Sequence, residues 1–331
     1  MPTSMPEHGG PDGGLDATHD FSTNASPLGP PPALLNAVQQ ADRHAYPDPA
    51  YGALRRRLGE AHGLDAELVL PTAGGAEGIR RLTLAALRTG RCEVWVPQPG
   101  FGDYAAAALA LGMAVRPYVG IEYIRPAAPA LVWICEPCNP TGASLAAWPV
   151  LGGEHLLAVD CAYEPLRLHG GSPIAPPNAW QLLCPNKALG LTGVRAGYLL
   201  APAQDAAWAS ALALAPSWVL SAEGVAMLTH WRDAATADWL ADARAQLREW
   251  SAAQRRMLEA LDWAQQQPSC TPFWLARPPR PDIALRLRER GIRVRDAASF
   301  GLPGWVRVSA QPRRSQDALQ QALLEIESED S

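Results

Sequence analysis

Five short apolar runs constrain this chain more than anything else in it. EVWVP (93–97), LVWIC (131–135), LLAVD (156–160), QLLC (181–184) and GYLLA (197–201) are each four or five residues long and nearly free of charge. A run of that kind has no polar face to offer water, so it reads as a strand buried on both sides. Helical patterns lie around the runs: Pro32 to Ala41, a second segment ending near His62, a third opening near Ala76 after LVLPTAGG, and DYAAAALAL at 103–111. Strands alternating with helices predict an α/β fold with a mainly parallel sheet and covered faces. Past about Ala203 the pattern changes. Ala-, Leu- and Arg-rich stretches from Ala206 to Trp263 predict two or three helices, followed by the strands FWLA, IRV and WVRVS, the helix DIALRLRERG and a closing helix. The expected division is a Gly- and Pro-rich N-terminal arm over 1–31, a large domain over 32–205 and a smaller α+β domain over 206–331. The arm's composition will not fold alone, so it is either frayed or laid over something else.

The carboxyl ends of buried parallel strands form ligand crevices in α/β sheets, and the polar residues that follow these runs are unusual. After QLLC comes PNKALGLTGVRAGY, which places Lys187 eight residues before Arg195 across a glycine-punctuated turn. Lys187 is expected near the core. Desolvation there favours the neutral amine, which can form a Schiff base with a carbonyl. Arg195 stays charged and its planar fork suits a phosphate. Together they describe a ligand with both groups, and pyridoxal phosphate is such a ligand. The alternative for the pair alone is that Lys187 caps a loop and Arg195 meets a surface carboxylate. LVWIC leads into EPCNPTG with Asn139, and LLAVD delivers Asp160 and Tyr163. An aspartate at that place can keep a pyridine nitrogen protonated, while Asn139 and Tyr163 can hydrogen-bond the ring oxygen. Gly75 and Ala76 open a helix whose free N–H groups suit a phosphate; the alternative there is a plain tight loop.

NPTG, D-x-A-Y, K and G-x-R-x-G-Y, taken in that order, resemble the aspartate aminotransferase superfamily of fold-type I pyridoxal-phosphate enzymes. The resemblance implies a three-layer α/β/α large domain and pyridoxal 5'-phosphate as cofactor. It implies that Phe101 stacks on the cofactor ring, with Tyr104 the fallback, and that Tyr46 in YPDP reaches the phosphate of a neighbouring subunit, hence a homodimer with shared active sites. It also implies that Arg307 in WVRVS grips a substrate carboxylate. Arg295 is either a second anion site or the partner of Asp296 or Glu289. Further segments, EHGG at 7–10, DFSTNASPLGPPP, PSWVLSAEG and SFGLPGWVRVS, look like the cobalamin-pathway threonine-phosphate decarboxylases, relatives of histidinol-phosphate aminotransferases. In that group the residues matching His8 and Asn24 contact substrate, which implies a small phosphorylated amino acid such as L-threonine O-3-phosphate. The alternatives are an aminotransferase for histidinol phosphate or another amino acid, and a non-catalytic pyridoxal-phosphate-binding protein. Cys184 and Asn186 stand where relatives usually carry Ser or Thr and often Ser; the Asn186 amide can still donate to the cofactor phosphate.

A formal net charge of −5 argues against nucleic acid, which is held by clustered Lys and Arg. No run is long and apolar enough to span a bilayer, and the N-terminus lacks a secretory hydrophobic region, so a cytoplasmic enzyme is expected. The six cysteines are scattered through apolar runs, as reduced core thiols are. Cys135 and Cys138 form a C-x-x-C, but without a second pair or a His at finger spacing no metal site is expected.

Overall fold

The computed structural model describes residues 8–266 and 268–329; Glu7, in the EHGG segment, lies outside the described residues. Its centre is a seven-stranded sheet in the order Val69–Thr72, Gly197–Leu200, Ala179–Leu183, Leu156–Asp160, Ala130–Cys135, Glu93–Pro97, Ala114–Tyr118. Gly197–Leu200 runs antiparallel to both neighbours, and every other pairing is parallel. All the apolar runs of the sequence are strands of this sheet. The innermost ones are buried at every position, because Leu131, Trp133 and Cys135 face one core while Val132 and Ile134 face another. The edge strand Ala114–Tyr118 is largely exposed and carries Pro117, a residue that only an edge accommodates without losing a ladder bond.

Helix Gly75–Arg88 covers one face with Ile79, Leu82, Ala85 and Ala86. Its start is set by Gly74 at φ 89° and ψ 177° and by Glu77, whose carboxylate accepts the Ala73 N–H at 3.1 Å and pairs with Arg81. Helix Ala206–Ala213 packs on Gly75–Arg88, and Ala222–His230 packs on Pro32–Gln39 and Gly52–His62. The 27-residue helix Ala234–Ala260 then touches Pro32–Gln39 on one side and the closing helix Arg313–Glu329 on the other. That helix therefore touches elements from both ends of the chain. The second lobe is a four-stranded antiparallel sheet, Arg295–Asp296, Val306–Ser309, Phe273–Arg277, Ala264–Gln265.

The N-terminal arm is not frayed from residue 8 onward. His19–Asp20 pairs in parallel with Ile292–Arg293, and Phe21 is fully buried, its N–H on the Arg293 carbonyl at 2.8 Å and its carbonyl accepting the Ser309 N–H at 2.9 Å. Such composition orders only when another element completes its hydrogen bonds, and the small lobe supplies that edge. Among the described residues no helix is long and apolar enough to cross a membrane, and no group of His, Cys, Asp and Glu is arranged to hold a metal ion. All six cysteines are free thiols.

Candidate active site

A cavity of about 320 Å³ lies at the carboxyl ends of Ala130–Cys135, Leu156–Asp160 and Ala179–Leu183. Every candidate named from the sequence lines it except Tyr46: His8, Asn24, Gly75, Ala76, Phe101, Asn139, Asp160, Tyr163, Asn186, Lys187, Arg195, Arg295 and Arg307. Tyr46 is 77% exposed and stacks on Trp218 with ring centroids 4.4 Å apart.

Lys187 leaves the strand end Ala179–Leu183 through a tight turn fixed by backbone bonds from Leu189 to Pro185 and from Leu191 to Asn186. The Ser26 N–H closes on its carbonyl at 2.8 Å, so the arm segment also braces it. Its Nζ lies 4.9 Å from the centre of the Tyr163 ring. The sequence led us to expect a lysine pushed toward the neutral amine. Burial does act in that direction, but Tyr163, Cys184 and Asp160 outweigh it, and the net shift is upward. Desolvation is the largest single effect, but Tyr163, Cys184, Asp160 and Cys135 gathered around Lys187 together exceed it.

Asp160 ends its strand buried, with Cys135 its register partner on the next one. The Tyr104 hydroxyl donates to Oδ2 at 2.7 Å and the Ala162 N–H donates to Oδ1 at 3.0 Å. Burial raises the carboxyl above its ordinary range, against the opposing pull of these two bonds and of Lys187. Tyr104 is fully buried and stacked on Trp133 at 5.0 Å and 14°. It therefore anchors the aspartate, and Phe101, edge-on to it at 5.7 Å, lines the cavity together with Tyr104, Tyr163 and Phe300. Sequence reasoning missed the Tyr104 bond to Asp160, because the two are 56 positions apart.

The phosphate end is built from a loop. A Cβ at Gly74 would stand 2.8 Å from Arg195 Nη2, so the guanidinium lies directly over that glycine. Arg195 Nη1 donates to the Thr192 carbonyl at 3.1 Å. Cys184 donates its thiol to Asn186 Oδ1 at 3.2 Å, which leaves the Asn186 amide N–H₂ directed elsewhere. The opposite wall comes from the second lobe and the arm. Buried Arg307 donates to Asn139 Oδ1 at 2.5 Å and to the Ser22 carbonyl at 2.7 Å; burial pushes it down to about 10, still cationic at neutral pH. Arg295 donates to the Asp296 backbone carbonyl at 2.8 Å and to Ser299 Oγ at 2.6 Å, with its guanidinium 5.1 Å from the Phe300 ring centre. Asn24 donates to the Tyr163 hydroxyl at 3.2 Å. His8 stands at the mouth, 3.7 Å from Asp103, whose carboxyl burial raises. Asp103, Thr192 and Phe300 also line the cavity and were not foreseen; the one available signal was an acid in PQPGFGDY, directly after a strand.

The model of the class I and II aminotransferases matches residues 18–164 and 186–326. The chain belongs to that family. It is 30% identical to the histidinol-phosphate aminotransferase of Halorubrum lacusprofundi over 91% of this chain and 87% of that protein, and 31% identical to one from Thiobacillus denitrificans over 92% and 85%. Its fold is that of the histidinol-phosphate aminotransferase of Sinorhizobium meliloti in complex with pyridoxal 5'-phosphate, TM-score 0.78 at 24% identity, covering 96% of this chain and 92% of that one. It is likewise that of the L-threonine-O-3-phosphate decarboxylase of Porphyromonas gingivalis, TM-score 0.76 at 20% identity, covering 93% and 99%. This is the three-layer, mostly parallel arrangement of fold-type I enzymes, and the family cofactor is pyridoxal 5'-phosphate.

The residues present in this class I and II aminotransferase chain fit that cofactor. Asp160 offers a buried carboxylate, Arg195 a cation lying over Gly74, and Lys187 an amine, and all three of these side chains line the one cavity. Asn24 Oδ1 and Arg307 Nε are buried without hydrogen-bond partners, and both belong to residues that line the cavity. Orphaned polar atoms of this kind are costly unless a ligand meets them.

Proposed function

We propose that this enzyme decarboxylates L-threonine O-3-phosphate to aminopropanol phosphate for corrinoid assembly. The observation that carries the reading is the wall opposite the lysine, where Arg307 and Arg295 lie with the arm residues Asn24 and His8. Two buried guanidinium groups facing one cavity suit a small substrate with two anionic groups, a carboxylate and a phosphate.

The role of each residue follows from its place. Asp160, steadied by Tyr104, keeps the ring nitrogen protonated, and the bound cofactor then supplies an electron sink for the pair released at Cα. Asn139 and Tyr163 hold the ring oxygen, Phe101 covers the ring face, and Gly75, Ala76, Asn186 and Arg195 hold the phosphate. Exposed Tyr46 serves the site of a second copy, in a homodimer with shared active sites. Which bond breaks would depend on whether Arg307 and Arg295 hold the substrate's carboxylate so that its bond to Cα is the one activated. With the carboxylate so held, the Cα–carboxylate bond breaks, carbon dioxide leaves, and the Lys187 ammonium returns a proton to Cα. An amine whose neighbours favour its protonated form suits that last step.

A second reading, an aminotransferase for histidinol phosphate or another amino acid, is favoured by the names of the 30–31% identical relatives. There Lys187 would take the Cα proton instead. Incubating the cofactor-loaded enzyme with threonine phosphate separates the two. Carbon dioxide released without a keto-acid acceptor supports the first reading; acceptor-dependent turnover of histidinol phosphate, with no carbon dioxide from threonine phosphate, rejects it.

A further inference from the structure

Parallel neighbours in a sheet need a crossover connection, and a helix over the sheet is its usual form. Two consecutive crossovers here, from Cys135 to Leu156 and from Asp160 to Ala179, contain no α-helix. On the sheet face opposite the one covered by Gly75–Arg88, a cavity of about 670 Å³ opens between these crossover loops and residues of the helices Gly52–His62 and Ala234–Ala260. Its floor includes the register partners Val159 and Gln181. Gln181 is a polar side chain in a strand otherwise made of Ala, Trp and Leu.

The walls are aromatic and cationic. Trp148 comes from the first loop and Trp231 from the end of Ala222–His230. Arg232 lies over Trp231 at 4.7 Å and reaches the Ala61 carbonyl at 3.4 Å. Arg244, on the same long helix as Ala237 and two turns along it, gives one N–H to the Pro165 carbonyl at 3.2 Å. Among the described residues neither arginine is paired with a carboxylate, whereas Glu136 and Glu164, the acids of the cavity, are both held by Arg167. A half-buried Arg244 and an exposed Arg232, both without a carboxylate partner among the described residues, stand beside indole faces and one amide and complement a flat apolar body carrying a negative group. The volume lies in the range of small-molecule sites.

We propose that this cavity is a second ligand site, separate from the cofactor cavity, that takes a small aromatic anion such as an aromatic carboxylate or sulfonate. It backs onto the strand end that carries Lys187, since Cys184 lines both cavities.

The test uses the cofactor-loaded enzyme and 8-anilinonaphthalene-1-sulfonate, followed by its fluorescence. Saturable binding at one site per chain is expected, undisturbed by threonine phosphate and by histidinol phosphate. Arg244→Gln removes a charge-assisted bond and weakens it about tenfold or more. Ala237→Trp, at an exposed helix position on the cavity wall, fills the space and abolishes binding, and so tests the site even if Arg244→Gln does not fold. Absence of saturable binding, binding unchanged by both substitutions, or displacement by either phosphorylated substrate would each overturn the proposal.

Discussion

Gly74→Ala isolates the phosphate cradle from everything else in the site. At φ 89° and ψ 177° the residue occupies a region open in practice only to glycine, and a side chain there costs about 1–3 kcal/mol. The new Cβ would stand 2.8 Å from Arg195 Nη2, closer than such atoms approach, so the guanidinium has to leave. Arg195 is exposed at the cavity rim. A charge-assisted bond contributes about 1.5–3 kcal/mol, and solvent screening argues for the lower end, which is roughly a tenfold loss in cofactor affinity. Titrating the ligand-free protein with pyridoxal phosphate by visible absorbance gives Kd, and its thermal unfolding gives the backbone cost separately. Arg195→Gln should lose the same affinity without the stability loss, and the double variant should bind no worse than either single one, because one bond cannot be lost twice. If Gly74→Ala folds and binds cofactor with an unchanged Kd, the reasoning fails at its geometric premise.

Tyr104→Phe removes the hydroxyl from Asp160 Oδ2; activity should fall about tenfold or more, and the acid limb of the pH–rate profile should move to higher pH, since the lost bond favoured the carboxylate. Asp160 itself gives a signed stability effect. Its folded pKa is raised by burial, so its contribution is fully present below the unfolded carboxylate pKa and is lost as pH rises through the folded one. The ligand-free protein should therefore show a Tm that declines over that window, and in Asp160→Asn the decline should shrink while activity disappears. Arg307→Lys keeps the charge but not the fork that reaches both Asn139 and Ser22; steady-state kinetics should show KM raised about tenfold. Asp103→Asn loosens the contact to His8, and limited proteolysis should then cut the arm faster without altering cofactor absorbance.

The candidate site is legible in the sequence where polar residues end an apolar run or follow it within a few positions: Asp160, Lys187 and Asn139 line one cavity because parallel strands deliver their carboxyl ends to the same edge of the sheet. The bond from Tyr104 to Asp160 is not legible in local pattern because it joins residues 56 positions apart on different elements. For Arg295 the sequence supports two readings, and its bonds to the Asp296 carbonyl and to Ser299 depend on a turn at 297–301 that local pattern does not resolve. A lowered Lys187 is what the sequence predicts because burial is visible in a hydrophobic run, whereas Tyr163, Asp160 and Cys135, which with Cys184 reverse the direction, come from distant parts of the chain.

What the sequence by itself determined is the sheet and the edge on which chemistry gathers, since both follow from strands with no polar face and from the handedness of their connections. Only the tertiary structure decided that the arm is the edge partner of the small lobe, that Tyr104 fixes Asp160, and that a cavity opens beside two crossovers without an α-helix. Those outcomes depend on contacts between residues far apart in the chain, where the competing partners differ by packing and desolvation rather than by local pattern.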